Sequence, residues 1–435
     1  MESVQPAGRA FSPLDEELEL LPGCLTPSLQ EDLVRLGSWM PFARAARELQ
    51  HFRHADLSRP TVERVTEAAG AAYEAVQTAQ VQRIEEELLP GPDGPDRQFL
   101  SADGAMVPLV GGEWAEVKTL VIGKVQPPVE VKGERVIHTR NHSYFSRLTD
   151  AATFQRLSLV ETHRRGVETA QMVSAVTDGS EWIQTFVDFH RPDAVRILDF
   201  PHAGEHLNVV GQTLFGEGSP QAHSWLAKQL HELKHTGPSA VLTEVRRLVT
   251  MHPDHPDLAA QLAYLEKRAA HMEYPAFAAA GWPIGDGAVE SGNKRVVEAR
   301  LKGSGMHWAR NHVNPMLALR NVVCNDRWEE AWPQIVNTLR QQDRQRRVER
   351  LHRRRASAIA SPELPADPIP TPHAQQFTGP APALDAQPTP STSSDPPSPA
   401  ILEPPWRPAT NHPWRHMPIG RARFTHATRN TDAKP

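Results

Sequence analysis

The spacing of apolar side chains predicts helices near the start of the chain. Apolar residues recur at the three- and four-residue intervals of an amphipathic helix, at Leu33, Leu36, Trp39 and Met40. Two further helical segments follow, PFARAARELQHF and SRPTVERVTEAAGAAYEAV, with a short polar turn between them. Ser58 can cap the second segment, whose first turn contains Pro60. We predict a helical domain over residues 28–95, preceded by a flexible N-terminus over residues 1–27.

The last two of these segments have the layout of a helix-turn-helix, a common DNA-binding motif. Arg59 and Arg64 would lie on the helix that reads the DNA. Two ordinary packed helices would give the same sequence pattern, so both interpretations remain open. A Gly/Pro/Asp stretch, PGPDGPDRQ, then marks a domain boundary.

Beyond this boundary the pattern predicts three strands, followed by helices and strands in alternation. Three strand-like runs, RQFLSADGAMVPL, EWAEVKTLVIGKV and RVIHTRNHSYFSRL, precede the helical run ATFQRLSLVETHRRG. A strand, a helix and a strand follow, as AQMVSAVTD, SEWIQTFVDFH and AVRILDF. The order βββαβαβ is that of a ribonuclease-H-like core, an α/β fold with a mixed sheet flanked by helices. We predict that residues 98–212 form its first part and residues 281–338 its last part.

The segment between these two parts is predicted to be an all-helical insertion over residues 213–280. It contains the amphipathic runs SWLAKQLHELK, AVLTEVRRLV and DLAAQLAYLEKRAAHM. After the core, an arginine-rich run predicts a basic helix over residues 339–360. The 40 prolines of the chain are densest over residues 361–435, which we predict to be a disordered tail.

Composition narrows the class of protein. Hydrophobic residues make up 39% and charged residues 23% of the chain, as in soluble globular proteins. No apolar run approaches the roughly 18 residues that would span a bilayer, so we expect no membrane association and a cytoplasmic location. A net charge of −5 argues against a uniformly basic surface, but it allows a local basic patch.

Three acidic residues next to chain-reversal signals are the main candidates for chemistry. They are Asp103 in FLSADGAMV, Asp178 in AVTDGSEW and Glu290 in IGDGAVESGNK. Asp103 would lie in the central strand, Asp178 at the end of the neighbouring strand, and Glu290 at the start of a helix that crosses the sheet. Three converging carboxylates can bind two Mg²⁺ or Mn²⁺ ions, about 3.5–4 Å apart, that assist cleavage of a phosphodiester. A single Asp-Gly pair is usually an ordinary turn, so the argument depends on all three.

A basic and aromatic segment follows Glu290. Its candidate DNA-binding residues are Lys294, Arg295, Arg300, Lys302 and Trp308. Lysine and arginine beside a metal cleft would neutralise phosphates, and Trp308 could stack on an unpaired base. Trp308 could equally be a core aromatic residue beside Met306 and Met316.

These motifs together resemble those of a DDE transposase of bacterial insertion sequences, most similar to the ISKra4 family. The resemblance runs from about residue 40 to residue 335 and rests on SADGAMVPLVGGEWAEVK, AVTDGSEWIQ, RILDFPHAGEHL and GWPIGDGAVESGNKRVVEARLKGSGMHW. It implies a Mg²⁺-dependent catalytic triad of Asp103, Asp178 and Glu290, with Asp199 and His202 as a supporting pair. Topology favours Asp178 over Asp199 as the second metal ligand. A zinc site of Asp199, His202 and His206 is a weaker alternative.

The resemblance also implies a function. The protein would bind terminal inverted repeats of double-stranded DNA, cut each end and join it to target DNA, as a homodimer or larger assembly associated with the bacterial nucleoid. Two alternatives remain: a ribonuclease-H-type nuclease without strand transfer, and a domesticated, inactive DNA-binding derivative. One departure from the family is notable, because relatives often begin with a Cys-rich zinc-binding segment and the first 40 residues here contain only Cys24.

Overall fold

The architecture is taken from a computed structural model, which describes residues 25–131 and 134–360. The predicted tail over residues 361–435 and most of the predicted flexible N-terminus over residues 1–27 lie outside the described residues. Within them, the chain is a mixed α/β structure in which one sheet is surrounded by helices.

The N-terminal segment is helical, as predicted. Its helices are α1 (Pro27–Trp39), α2 (Phe42–Arg53) and α3 (Arg59–Glu87). The side-chain oxygen of Ser58 accepts a hydrogen bond from the backbone N–H of Thr61, which confirms the predicted cap of α3. Both α1 and α3 also begin with a proline in the first turn, where its missing N–H costs nothing.

A five-stranded mixed sheet forms the centre of the molecule. Its strands are β1 (Arg97–Pro108), β2 (Trp114–Val125), β5 (Thr139–Arg147), β6 (Met172–Thr177) and β7 (Val195–Leu198). The spatial order is β5-β2-β1-β6-β7, in which β2 is antiparallel to its two neighbours and β1, β6 and β7 are parallel. Two short strands, β3 (Val129–Val131) and β4 (Glu134–Val136), form a separate ribbon between β2 and β5. The predicted central position of β1, beside β6, is confirmed.

Each face of the sheet is covered by helices, because alternate side chains along a strand point to opposite faces. Leu100 and Leu120 belong to the core under α4 (Ala151–Leu157), α5 (Leu159–Arg164) and α6 (Glu181–His190). Phe99 and Val121 belong to the larger core on the other face. Asp103 is four residues from Phe99, so it lies on the same face as this larger core.

The predicted helical insertion is confirmed as helical. The chain leaves β7 through α7 (Phe200–Phe215) and continues through α8 (Pro220–His235), α9 (Pro238–Met251), α10 (Pro256–Lys267), a 3₁₀ turn (Ala269–Met272) and α11 (Tyr274–Ala279). Leu242, Leu258 and Leu265 are buried between these helices. Their spacing is what predicted the amphipathic runs.

The closing segment returns to the sheet as one irregular helical stretch. It consists of α12 (Gly287–Gly292), a π-helical turn (Asn293–Glu298) and α13 (Ala299–Leu301). Helices α14 (Arg310–Cys324) and α15 (Trp328–Ala360) follow. The predicted basic helix is therefore the second half of α15, continuous with the helix that closes the fold.

The N-terminal helices share one hydrophobic core with the closing helices. Leu33, Val62 and Ala69 belong to the same buried cluster as Met316 on α14. The closest approach is at Gly70, where an added methyl group would lie 2.2 Å from the carbonyl oxygen of Pro315. Since backbone atoms cannot move aside as a side chain can, α3 and α14 meet at a fixed separation.

Replacing Gly70 with alanine should therefore separate α3 from α14. We expect the free energy of unfolding to fall by about 2 kcal/mol, because the strain of overpacking exceeds the gain in helix propensity. Urea denaturation followed by circular dichroism measures this. The matched control is Ala71→Ser at the exposed neighbouring position, which should change the stability by less than about 0.5 kcal/mol. Equal stability of G70A and the wild type would contradict the close contact.

Candidate active site

Two aspartates occupy equivalent positions on neighbouring parallel strands. The last paired residues of β1 and β6 are Leu100 and Ala175, and Asp103 and Asp178 each follow three residues later. Both therefore lie at the same level, just past the point where the pairing of β1 with β6 ends, although β1 itself continues beside β2. The alternation of side chains puts both on the face of the larger core. Burial is the main cause that raises the pKa of Asp103, and the negative charge of Asp178 adds to it. The two carboxylates are thus within electrostatic reach of each other.

The π-helical turn brings an amide to the same place. Asn293 is 5% exposed, and its Nδ2 donates a hydrogen bond of 2.8 Å to Asp103 Oδ2. The other side-chain atom, Oδ1, is buried and has no hydrogen-bond partner among the residues that the structure describes. A buried amide oxygen without a donor is costly, and π-helical turns are frequent at functional sites. Asn293, which sequence reasoning missed, is therefore part of the site.

Glu290 lies one turn before Asn293 on the same helical stretch. The stretch lies close against the sheet at Gly292, where an added methyl group would lie 2.8 Å from Val121. The side chain of Glu290 is 66% exposed, and its Oε2 is 3.3 Å from Lys294 Nζ. The backbone of Glu290 is thus held against the sheet, while its carboxylate is exposed and paired with Lys294.

A fourth acid, Asp286, lies between the others. Burial raises its pKa to about 8, helped by the charges of Asp199 and Asp103 and, more weakly, of Glu290. Sequence reasoning missed this residue. The signal was present, because Asp286 precedes Glu290 by four residues, which is one helical turn.

Asp199 supports the site through the backbone. It is 5% exposed, its Oδ1 accepts the N–H of Asp286 at 2.8 Å, and its Oδ2 accepts the N–H of His202 at 2.9 Å. Asp199 therefore caps α7 and fixes the turn that carries Asp286. Since both its oxygens are occupied by backbone donors, the geometry favours Asp178 as the residue with an available carboxylate.

Asp199, His202 and His206, the alternative zinc ligands, do not form a zinc site. Nδ1 of His202 is 3.2 Å from Glu205, whereas Nδ1 of His206 contacts the side-chain oxygen of Gln261 at 2.5 Å. The ring of His206 stacks on Tyr264 with 3.7 Å between centroids. These contacts occupy both histidines with neighbours other than Asp199.

The acids at the sheet edge fit a divalent cation by their chemistry. Carboxylate and amide oxygens are the ligands that Mg²⁺ and Mn²⁺ prefer. A cation would also offset the charge of Asp178, which adds to the larger effect of burial in raising the pKa of Asp103. The side chains are not drawn tightly together. Over residues 25–131 and 134–360, Glu63, Glu67 and His312 are the only three His, Cys, Asp or Glu residues whose metal-binding atoms, one from each residue, all lie within 4.8 Å of one another.

That second group lies between α3 and α14 and has charge partners of its own. His312 Nδ1 is 2.9 Å from Glu67 Oε1, and Arg59 Nε is 3.7 Å from Glu63 Oε2. The buried guanidinium of Arg300 also lowers the pKa of Glu67, against the larger effect of burial, which raises it. These contacts account for the cluster as a polar contact between α3 and α14.

The candidate DNA-binding residues divide into two groups. Five are exposed, namely Arg59, Arg64, Lys294, Arg295 and Lys302. Arg300 and Trp308 are 2% and 7% exposed, and in this structure neither is available to DNA. Arg300 Nε donates to the carbonyl of Gly37 at 3.0 Å, and its guanidinium lies 5.0 Å from the Trp308 ring. The prediction of DNA contact is corrected for these two, and the alternative of a core aromatic residue is confirmed for Trp308.

Neither a family of proteins nor a curated protein matched this chain when it was compared with known family models and with curated sequences. Among the described residues, no helix combines the length and the apolar character that crossing a membrane requires. The function therefore has to be argued from the site itself.

The raised pKa of Asp286 predicts how stability depends on pH without divalent metal. Its folded-state pKa of about 8 exceeds the ordinary value of 3.8. Its contribution to stability is thus complete below about pH 4 and is lost as the pH rises through 8. Asp286→Asn stays neutral, so its melting temperature should fall less than that of the wild type between pH 5 and 8.5.

Scanning calorimetry in chelator measures this difference. The matched control is Asp254→Asn, in the exposed loop between α9 and α10, which should follow the wild type. If D286N and the wild type lose the same number of degrees, the buried acid pair at Asp199 and Asp286 is refuted.

Proposed function

We propose that this protein is a DDE-type DNA transposase, with a ribonuclease-H-like core, that cuts terminal inverted repeats and transfers the cut strands to target DNA. One observation carries the proposal. Asp103 on β1 and Asp178 after β6 lie at one level on one face of a mixed sheet, and the helical stretch that carries Glu290 packs against that face at Gly292. The order βββαβαβ and the resemblance of the four motifs to the ISKra4 family support it.

The residues that would hold Mg²⁺ or Mn²⁺ are Asp103, Asp178 and Glu290. Two such ions supply activation of the attacking oxygen and stabilisation of the leaving oxygen of a phosphodiester. The buried, unpartnered Oδ1 of Asn293 and the repulsion between Asp103 and Asp178 are the two features that fit a cation there.

The protein's own groups have distinct tasks in this proposal. The amide of Asn293 orients the Asp103 carboxylate through its 2.8 Å hydrogen bond. Glu290 is held near Lys294 by an exposed ion pair, which is weak and so can open at little cost. Opening would free the Glu290 carboxylate for the site and the Lys294 ammonium for a phosphate of the DNA. Substrate binding and completion of the site would then occur together.

The exposed cations next to Glu290 define the proposed DNA surface. Lys294 and Arg295 lie on the same helical stretch as Glu290, and Lys302 directly follows the end of that stretch. Cations beside the reacting phosphodiester position the backbone without reading the sequence. The exposed Arg59 and Arg64 at the start of α3 remain candidates for sequence-specific contacts with the transposon end.

Neutral replacements of the acids should remove the chemistry and keep DNA binding. We expect Asp103→Asn, Asp178→Asn and Glu290→Gln each to slow Mg²⁺-dependent cleavage of a labelled end by about 1000-fold, since the metal supplies several kcal/mol to the transition state. The same reactions are scored for binding, cutting and joining. Cutting without joining would identify a nuclease, and binding alone an inactive derivative. Cleavage by D103N at the wild-type rate would falsify the assignment, and D254N is the matched control.

Removing exposed cations should weaken DNA binding in two distinguishable ways. Replacing Lys294, Arg295 and Lys302 with alanine should lower affinity for end and random DNA alike, and should reduce the slope of log affinity against log salt by about one per phosphate contact. Arg59→Ala with Arg64→Ala should lower affinity for the end only. Fluorescence anisotropy at several salt concentrations measures both. Arg83→Ala, which removes a cation paired with Glu87, serves as the control.

A further inference from the structure

The turn that carries Asp178 is held by side chains from the helical insertion. Asp178 and Gly179 follow β6, and the backbone there reverses with a φ of +77° at Gly179. The carbonyl of Asp178 accepts a hydrogen bond from the Tyr264 hydroxyl. The carbonyl of Gly179 accepts two from Arg268, from Nε at 3.0 Å and from Nη2 at 2.6 Å. Two successive carbonyls are thus bound by one turn of the insertion, more than 80 residues away in sequence.

The two side chains that hold this turn are themselves rigid. Arg268 is 8% exposed, and its third nitrogen, Nη1, donates to the carbonyl of Tyr264 at 3.1 Å. Its guanidinium lies 3.6 Å from the centre of the Tyr264 ring. The Tyr264 ring also stacks on the ring of His206 on α7. Because all three nitrogens of the planar Arg268 guanidinium donate hydrogen bonds, the side chain is held in one conformation.

Arg268 packs so closely against Gly179 that no side chain would fit at that position. A methyl group on Gly179 would lie 2.4 Å from Arg268 Nε and 3.2 Å from a methyl group of Leu198. Within the turn, Asp178 Oδ1 accepts the N–H of Ser180 at 2.8 Å. The direction of the carboxylate therefore depends on the backbone of the turn, which Arg268 and Tyr264 fix.

We propose that Arg268 and Tyr264 are positioning residues, which set the orientation of the Asp178 carboxylate through the two carbonyls of its turn and so couple the metal site to the helical insertion. This inference rests on the proposed function of Asp178 as a metal ligand. Displacement of the insertion, for example by bound DNA, would move the Asp178 carboxylate, because the contact is direct. Partners that orient ligands in this way typically change metal affinity by about 10- to 100-fold when removed.

The test combines metal binding with cleavage, using the full chain. Arg268→Gln should weaken Mn²⁺ binding on the order of tenfold, measured by calorimetry on the complex with uncleavable end DNA and corrected for Mn²⁺ bound by the DNA alone. It should raise the Mg²⁺ concentration for half-maximal cleavage by a similar factor and leave the affinity for end DNA unchanged. Arg268→Lys keeps one donor and should recover part of the loss. Arg246→Gln, an exposed arginine of the insertion paired with Glu266, is the matched control and should equal the wild type.

Two further variants keep the test decisive if R268Q does not fold. Gly179→Ala disturbs the same contact from the side of the sheet and should reproduce the weaker metal binding. Tyr264→Phe removes one hydroxyl and should give a smaller loss in the same direction. Hydrogen exchange at residues 177–181 should accelerate in all three variants and not in R246Q.

The outcomes separate this inference from the proposed function. Mn²⁺ affinity in Y264F and R268Q equal to that of the wild type would overturn the positioning role while leaving the metal site intact. An equal loss in R246Q would also overturn it, because the effect would then be general to the insertion. A wild-type protein that binds no Mn²⁺, or whose binding is unchanged in D103N, would instead overturn the proposed function, and the positioning role with it.

Discussion

Burial of several acids in one region of the sheet is the constraint on which the rest of the structure depends. Asp103, Asp199 and Asp286 are buried or half-buried, and burial of a charged group among like charges is unfavourable unless other groups compensate. Backbone N–H groups supply the compensation at Asp199, and the amide of Asn293 supplies it at Asp103. Glu290 avoids the repulsion by pairing with Lys294 at the surface. The fold thus keeps several acids in one region by supplying each with a donor.

The surrounding elements converge on this edge from separate directions. Strand pairing fixes Asp103 and Asp178 at the same level. The helical stretch of α12 and the π-helical turn brings Glu290 and Asn293 across the sheet. The insertion is tied to the edge as well, since Tyr274 donates to the carbonyl of Leu198 at 3.0 Å. A further hydrogen bond of 2.9 Å joins Phe200, at the start of α7, to Ile284, before α12. An excursion of about 80 residues thus begins and ends at the site, which explains how it can hold the Asp178 turn.

The helical stretch that carries Glu290 and Asn293 packs against the N-terminal helices on the side away from the sheet. Arg320 donates to the carbonyls of Val296 and Ser38, and Arg300 donates to the carbonyl of Gly37. Two buried arginines therefore connect the π-helical stretch to α1, and their aromatic neighbours cover the guanidinium faces. These contacts place the helix that carries Glu290 between the sheet and α1. They also explain why a basic segment that suggested a DNA surface contributes in part to the interior.

The sequence alone determined the identity and order of the elements, because apolar periodicity and turn residues are local properties. It also gave Asp103, Asp178 and Glu290 as candidates, since each belongs to a short motif that is visible in the sequence. Only the tertiary structure decided the roles of Asp286 and Asn293, which depend on neighbours distant in sequence. It likewise decided that Arg300 and Trp308 are buried, because charge and aromatic patterns do not reveal which side of a helix meets another element. Long-range packing sets these environments, and no local pattern encodes them.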